Sequence, residues 1–153
     1  MSFLRREWRR GDYVISTDPE RLDVVMIHDF LARRSYWAQE IPLELVRRSI
    51  EHSLPFGLYA PEGQAGFARV VTDHAVFAYL ADVFVLEPHR GRGLGTWLVE
   101  TVVTCPELAG LRRWDLATDD AHELYRRFGF REANPARTME RVDPAPDIYR
   151  RGR

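Results

Sequence analysis

The chain contains no lysine. All 22 of its basic residues are arginine, and they face 23 acidic ones for a formal net charge of −1. Without lysine the phosphate loop of the nucleotide triphosphatases cannot be built, because its pattern ends on Gly-Lys-Ser/Thr. Without a basic excess the electrostatic term that drives nucleic-acid binding is missing. The arginine pairs (Arg5-Arg6, Arg9-Arg10, Arg33-Arg34, Arg47-Arg48, Arg112-Arg113, Arg126-Arg127, Arg150-Arg151) are spread among carboxylates instead of forming one block. They read as solvated faces. One cysteine, Cys105, excludes an internal disulfide and any multi-cysteine zinc site, and fits a reducing cytoplasm. No metal centre is expected. The longest apolar stretch, Val76 to Leu86, is broken by Asp82 and is far too short to cross a bilayer. The opening "MSFLRREWRR" has no apolar core of a signal peptide. The expectation is a cytoplasmic protein with no membrane and no nucleic-acid partner.

What is present describes one ordinary globular domain over residues 1–153, with a core over about 12–142 and a loose Pro-rich tail from 143 to 153. A chain of 153 residues buries roughly 68 to 70% of its unfolded surface. "DYVIS" (12–16) alternates like a strand. Asp18, with Pro19 at the first helical position, then predicts a helix whose apolar stripe is Leu22, Val25, Met26 and Phe30. Leu43, Val46, Ile50 and Leu54 predict a second helix. "FGLYA" (56–60), "QAGFARVVTD" (64–73) and "AVFAYLADVFVL" (75–86) read as three strands joined by short turns. A third helix follows on Leu94, Trp97, Leu98, Thr101, Val102 and Cys105. Then come a strand over Leu111–Thr118, a fourth helix closed by Gly129, and a last strand over Arg137–Val142. The order is that of an α+β fold, not a regular alternation of parallel units.

Between the third strand of that run and the third helix lies "EPHRGRGLGTWLVE" (87–100), with two arginines and three glycines at a helix start. A helix N-terminus carries unpaired N–H groups and a partial positive charge, and so favours an anion. Gly91, Gly93 and Gly95 would let successive amides converge on one oxygen-rich group, with Arg90 and Arg92 adding charge-assisted bonds. The dinucleotide pattern GxGxxG fails because it needs glycine at Thr96. A plain glycine-rich connector remains the alternative for this stretch alone.

"DVFVLEPHRGRGLGTWLVE" resembles the acetyl-CoA-binding signature of the GNAT superfamily of N-acetyltransferases, R/Q-x-x-G-x-G/A, met by Arg90, Gly93 and Gly95. "AHELYRRFGF", thirty residues on, is similar to the family's second signature, and both fall in the family's order of elements over roughly residues 12 to 142. The match is of the bacterial type, and the "YLADVFV" strand is also similar to that of the spermidine/spermine acetyltransferases. The resemblance implies a mixed central sheet of six to seven strands flanked by about four helices, with acetyl-CoA as co-substrate. It implies that the strand holding Val83, Phe84 and Val85 splays from its parallel neighbour and pairs with pantetheine, with a backbone N–H near Val85 stabilising the oxyanion. The pyrophosphate falls on Arg90, Gly91, Arg92, Gly93, Leu94, Gly95 and Thr96. Thr118 stands where the family often has an asparagine that contacts pantetheine.

By the same resemblance Tyr125 is the proton donor, its phenol being protonated at pH 7 yet able to donate to a developing thiolate. Beside Leu124 and Phe128 it also suits a core aromatic. Asp82, a charge inside an apolar strand, matches an acidic acceptor-site residue and is the first candidate for holding or deprotonating the amine; a carboxylate paired with an arginine is the alternative. His74 and His28 are weaker candidates, and His122 reads as structural. The connector "RRSYWAQEIP", with Ser35, Tyr36 and Trp37, either lines the acceptor site or folds Trp37 back over the second helix. In the first case Tyr36 and Trp37 with Asp82 describe a pocket for a cationic or aromatic small amine. The expected activity is acetyl transfer to a primary amine of a small molecule, with a homodimer allowed. The alternatives are a protein-amine acetyltransferase and a CoA or acyl-CoA sensor without turnover.

Overall fold

The computed structural model describes residues 4–152. The chain separates into two compact units: the described residues up to Leu22 together with His52–Phe130 form one, and Asp23–Glu51 together with the residues from Arg131 onward form the other.

The first unit is built on a six-stranded sheet in the order β1-β2-β3-β4-β5-β6. Its strands are β1 (Glu7–Arg10), β2 (Tyr13–Ser16), β3 (Leu54–Ala60), β4 (Gly63–Thr72), β5 (Phe77–Val85) and β6 (Arg113–Asp115). The first five are antiparallel neighbours, and β6 runs parallel to β5. β1 escaped the sequence reading because "EWRR" offers one apolar side chain. As an edge strand it needs no more than Trp8, which stacks on Phe56 at 6.1 Å. β3 is buried along its whole length, as a strand covered on both faces must be. At Gly66 of β4 a Cβ would lie 2.7 Å from the Phe84 carbonyl oxygen, so only glycine lets β4 and β5 approach there.

Helix α3 (Leu94–Val103) packs against β3, β4 and β5. The residues expected of its stripe are buried (Leu94, Trp97, Leu98, Thr101 and Val102, with Cys105 following them into the core), and Val99, not foreseen, is buried beside them. Burying a Leu or Val side chain of this kind stabilises by about 1.5–3 kcal/mol relative to leaving it in water. The strand predicted over Leu111–Thr118 shrinks to Arg113–Asp115. Its parallel ladder runs only from Phe77↔Arg113 to Tyr79↔Asp115, and β5 continues beyond it without pairing to Leu116 to Thr118 in that ladder. The predicted fourth helix is likewise shorter, α4 (His122–Arg126). It closes with a Schellman pattern in which Gly129 N–H donates to Arg126 O and Phe130 N–H to Tyr125 O, at 3.2 and 3.3 Å. Gly129 supplies the left-handed φ of 88° that this pattern requires.

The second unit holds α1 (Val24–Arg33) and α2 (Leu43–Glu51). Here the structure corrects the sequence reading. Asp18 caps only a short 3₁₀ turn, Pro19–Arg21, and α1 starts afresh with Asp23 accepting from Met26 N–H at 3.0 Å. The buried face is Ile27, Phe30 and Leu31, while Val25 is 67% exposed. Val24 to Ile27 form an unbroken apolar run that accommodates two helical stripes, and packing selected the other one. In α2, Val46 and Ile50 are buried as expected, but Leu54 belongs to β3. The predicted strand Arg137–Val142 is not formed. Residues 131–142 are exposed, Met139 by 98%, and alternation without a ladder makes no strand. The tail expected to be loose carries a short helix, α5 (Asp147–Arg151). Its acidic start and basic end complement the helix dipole.

The turn between β4 and β5 depends on one carboxylate. Asp73 accepts from the N–H groups of Ala75, Val76 and Phe77 at 2.9, 2.9 and 3.1 Å. The bond from Val76, then those from Ala75 and Phe77, hold its pKa below the ordinary value. A depressed carboxylate stabilises the fold above its unfolded pKa, and the contribution disappears as the pH falls through the folded one. The difference in Tm between wild type and Asp73→Ala should therefore be full at pH 6 and shrink below about pH 4. A difference independent of pH over that window would show that the charge is not what holds the turn.

Candidate functional site

β5 extends six residues beyond the last position it shares with β6, Tyr79. The two parallel strands part there, which leaves the β6-facing edge of Val83 to Val85 outside that ladder. On its other edge β5 stays paired with β4, through Phe67↔Phe84 and Gly66↔Val85. The chain then makes a 3₁₀ turn at Glu87–His89 and enters α3. Gly93, the N-cap of α3, has a left-handed φ of 75° and no side chain to cap the helix. Trp97 N–H is bonded back to Gly93 O. The amides of Leu94, Gly95 and Thr96 precede the first intrahelical bond, so they are the donors a helix start offers to an anion.

A cleft of about 320 Å³ opens at this junction, lined by Val85, His89, Arg90, Gly91, Gly93, Leu94, Gly95, Thr96, Leu124 and Arg127. It joins the end of β5, the glycine loop and one face of α4. The donors are amides and guanidinium groups, and the glycines leave room: at Gly91 and Gly93 an added Cβ would meet nothing within 4 Å. An oxygen-rich anion such as a pyrophosphate fits that donor set.

Each of the two loop arginines makes a bond within the chain. Arg90 Nε donates to the Val85 carbonyl at 2.8 Å, tying the loop back to the strand end. Arg92 is not among the cleft-lining residues; its Nη1 donates to Tyr13 Oη at 2.8 Å. Tyr13 Oη in turn lies 2.9 Å from His89 Nδ1, and His89 Nε2 lies 3.4 Å from Glu62 Oε1. The four side chains Arg92, Tyr13, His89 and Glu62 thus form one connected polar chain beside the loop. His89, Leu124 and Arg127 were missed as cleft residues. Leu124 and Arg127 were legible, because a spacing of three places both on one helix face.

Tyr125 is 8% exposed and belongs to the core cluster. Its ring meets Phe130 edge-to-face at 5.8 Å, the apolar contact that accompanies the Schellman closure. Its neighbours Leu124 and Arg127 line the cleft; Tyr125 itself does not. Thr118 Oγ accepts from Ala121 N–H at 3.1 Å and so anchors the approach to α4. Asp82 is paired with Arg69 at 2.8 Å. His74 sits in the turn before Phe77, so eight residues of strand, about 26 Å at 3.3 Å each, separate its end of β5 from Val85. His28 Nε2 bonds the Ile41 carbonyl at 2.9 Å, a contact inside the helical unit. Ser35, expected in an exposed connector, is buried: it donates to Leu31 O at 2.6 Å and accepts from Ala38 N–H at 3.0 Å. Tyr36 and Trp37 are partly exposed and meet edge-to-face at 4.9 Å, and the Trp37 ring lies 6.4 Å from that of Phe30 on α1. His122 is exposed.

The cleft sits between a strand end, a glycine loop and a helix start on an α+β sheet, and similarity to known proteins gives the family. Residues 52–132 match the acetyltransferase (GNAT) domain family, and the chain belongs to it. A solved structure of a GNAT-family acetyltransferase from Xanthomonas campestris pv. campestris is similar with a TM-score of 0.85 at 50% identity, covering 88% of this chain and 95% of its own. A Gibberella zeae protein named as an acetyltransferase is 32% identical over 142 residues, 78% of this chain and 79% of the relative. A GNAT family acetyltransferase from Elizabethkingia anophelis with acetyl-CoA bound shares the fold, with a TM-score of 0.62 at 15% identity over 82% of this chain and 80% of its own. Among the described residues no helix is long and apolar enough to cross a membrane, and no cluster of three or more His, Cys, Asp or Glu could hold a metal ion.

A thiol relay through Cys105 does not suit this frame. The side chain is buried and its Sγ lies 3.1 Å from Glu107 Oε2. Burial first, and then the hydrogen bond to Glu107, push the thiol up to about 12. The thiolate is the nucleophile, so folded protein at pH 8 should leave a disulfide reagent such as DTNB unreacted for hours, and one equivalent should react on unfolding in guanidinium. Fast labelling of folded protein would mean that the thiol is accessible.

Proposed function

We propose that the protein is an acetyl-CoA-dependent N-acetyltransferase that acetylates the primary amine of a small molecule by direct attack. The observation that carries this reading is the cleft at the parted end of β5, with the uncapped start of α3 on one side and Arg127 on another. When bound, acetyl-CoA would supply the activated thioester. The amides of Leu94 to Thr96 would hold its pyrophosphate, with Arg127 adding charge. The unladdered edge of Val83 to Val85 would take pantetheine as an additional strand and offer an N–H to the developing oxyanion. The amine must arrive neutral: its nitrogen forms the bond to the acetyl carbon as the carbon–sulfur bond breaks, and the amine proton leaves to water or a base. Tyr125 would return a proton to the departing thiolate.

A second reading, a CoA-binding protein without turnover, draws on one observation: the Tyr125 ring is packed in the core and absent from the cleft lining. Thiol release from acetyl-CoA across a panel of amines separates the two. Amine-dependent thiol supports the enzyme, and saturable binding without thiol supports the sensor.

CoA at a hundred times its Kd should stabilise the fold by about 2.7 kcal/mol and raise Tm accordingly. Gly93→Glu places a side chain at a φ of 75° and a negative charge on the anion site. It should abolish the shift while circular dichroism still reports a folded protein. A folded wild type with no shift, or a variant that binds equally well, would overturn the cofactor assignment.

Tyr125→Phe should keep the fold within about 1.5 kcal/mol, the usual net worth of one hydrogen bond. Its kcat should fall by about 10² to 10⁴, the loss expected for a general acid. A Phe variant within a few-fold of wild-type kcat would return Tyr125 to a purely core role.

A further inference from the structure

β5 contains an irregularity shortly before the cleft. Opposite it, β4 pairs Phe67 with Phe84 and Arg69 with Ala81. Ala68 alone therefore faces two residues, Asp82 and Val83, which is the count of a β-bulge on β5. The extra residue is Asp82, and its φ is 55°, in the left-handed region that non-glycine residues seldom adopt and that asparagine and aspartate tolerate best. A left-handed non-glycine residue inside a strand persists only where its surroundings hold it. The holder here is Arg69, next to the bulge on β4. Its Nε donates to Asp82 Oδ2 at 2.8 Å and its Nη1 to Ser53 Oγ at 3.0 Å. The two side chains are only 16% and 10% exposed, so the pair is largely withdrawn from water.

The position of the bulge matters. It lies three residues after Tyr79, where the β5–β6 ladder ends, and three before Val85, which lines the cleft. A bulge bends its strand and increases the local twist. The bulge falls between the end of the β5–β6 ladder and the Val83 to Val85 segment.

We propose that the Arg69–Asp82 pair is a latch that fixes the β5 bulge and so aims the backbone of Val83 to Val85 into the cleft. Asp82 and Arg69 are then positioning residues, and the Asp82 carboxylate is spent on Arg69 instead of serving as the base. This rests on the acetyltransferase reading above for its kinetic consequence, and on geometry alone for its structural one.

The test compares Asp82→Asn, Asp82→Ala and Arg69→Gln with wild type in two measurements. The first is backbone NMR chemical shifts of residues 82–85 in ligand-free protein; the second is amine-dependent thiol release from acetyl-CoA. Asparagine tolerates the left-handed region and can still accept from Arg69. Asp82→Asn should therefore keep the left-handed shifts, a kcat within about threefold, and the wild-type pH dependence of kcat/KM. Asp82→Ala and Arg69→Gln should move the shifts of residues 82–85 and lower kcat by about 10- to 100-fold, more than they raise KM, as a misaimed donor does. Wild-type shifts in both of these variants would overturn the latch. So would an Asn variant as inactive as the Ala variant with the acidic limb of the pH profile gone, which would restore Asp82 as a base. Should Asp82→Ala fail to fold, Arg69→Gln reads the same contrast. A wild type that releases no thiol overturns the acetyltransferase reading, and the NMR comparison still decides the latch.

Discussion

The parting of β5 from β6 after Tyr79 is the constraint on which the rest of the site depends. A parallel pair that continued to Val85 would occupy both edges of β5 with ladder hydrogen bonds and leave no backbone to offer a ligand. Because the pairing stops, one strand edge is available beside a helix start whose amides precede the first intrahelical bond. Two sets of main-chain donors therefore border one cleft, built from groups every residue possesses. The side chains around it serve chiefly to hold that backbone in place: Arg90 anchors the loop to the Val85 carbonyl, and Thr118 anchors the approach to α4.

A chain with arginine as its only basic residue uses that side chain's fixed fork of donors throughout the sheet unit. Arg6 Nε reaches both carboxylate oxygens of Glu107 at 2.7 Å. Arg10 stands over the Trp97 ring at 5.0 Å, and Arg21 over Tyr59 at 4.4 Å. Arg92 reaches Tyr13 and, through it, His89 and Glu62. The pairs that look like a dispersed basic surface in the sequence are mostly spent on carboxylates, rings and carbonyls, which is consistent with the missing net charge. Of the arginines, Arg90 and Arg127 line the cleft.

Much of the fold was legible because its signals are local. The α3 stripe of Leu94, Trp97, Leu98, Thr101 and Val102 follows the helical period, and the three hairpin-joined strands are apolar runs bounded by short turns. Gly129 announced a helix end that the Schellman bonds confirm. Where local signals were degenerate the reading failed. The run Val24 to Ile27 fits two stripes, and "EWRR" has too little apolar content to announce an edge strand. "RTMERV" alternates, but alternation cannot say whether a neighbouring strand exists to receive it.

The sequence by itself determined the glycine loop, the helix that follows it and the family, because φ-permissive residues, caps and periodic apolar faces are properties of short segments. It also made Tyr125, Asp82 and the Tyr36-Trp37 connector conspicuous as residues. Only the tertiary structure decided what those residues touch. Tyr125 was set against Phe130 by the closure of α4, Ser35 was buried under its own helix end, and Asp82 was joined to an arginine thirteen positions earlier in the chain. Each of these depends on which strand lies beside which and where a ladder stops, and those are relations between distant segments that no local pattern carries.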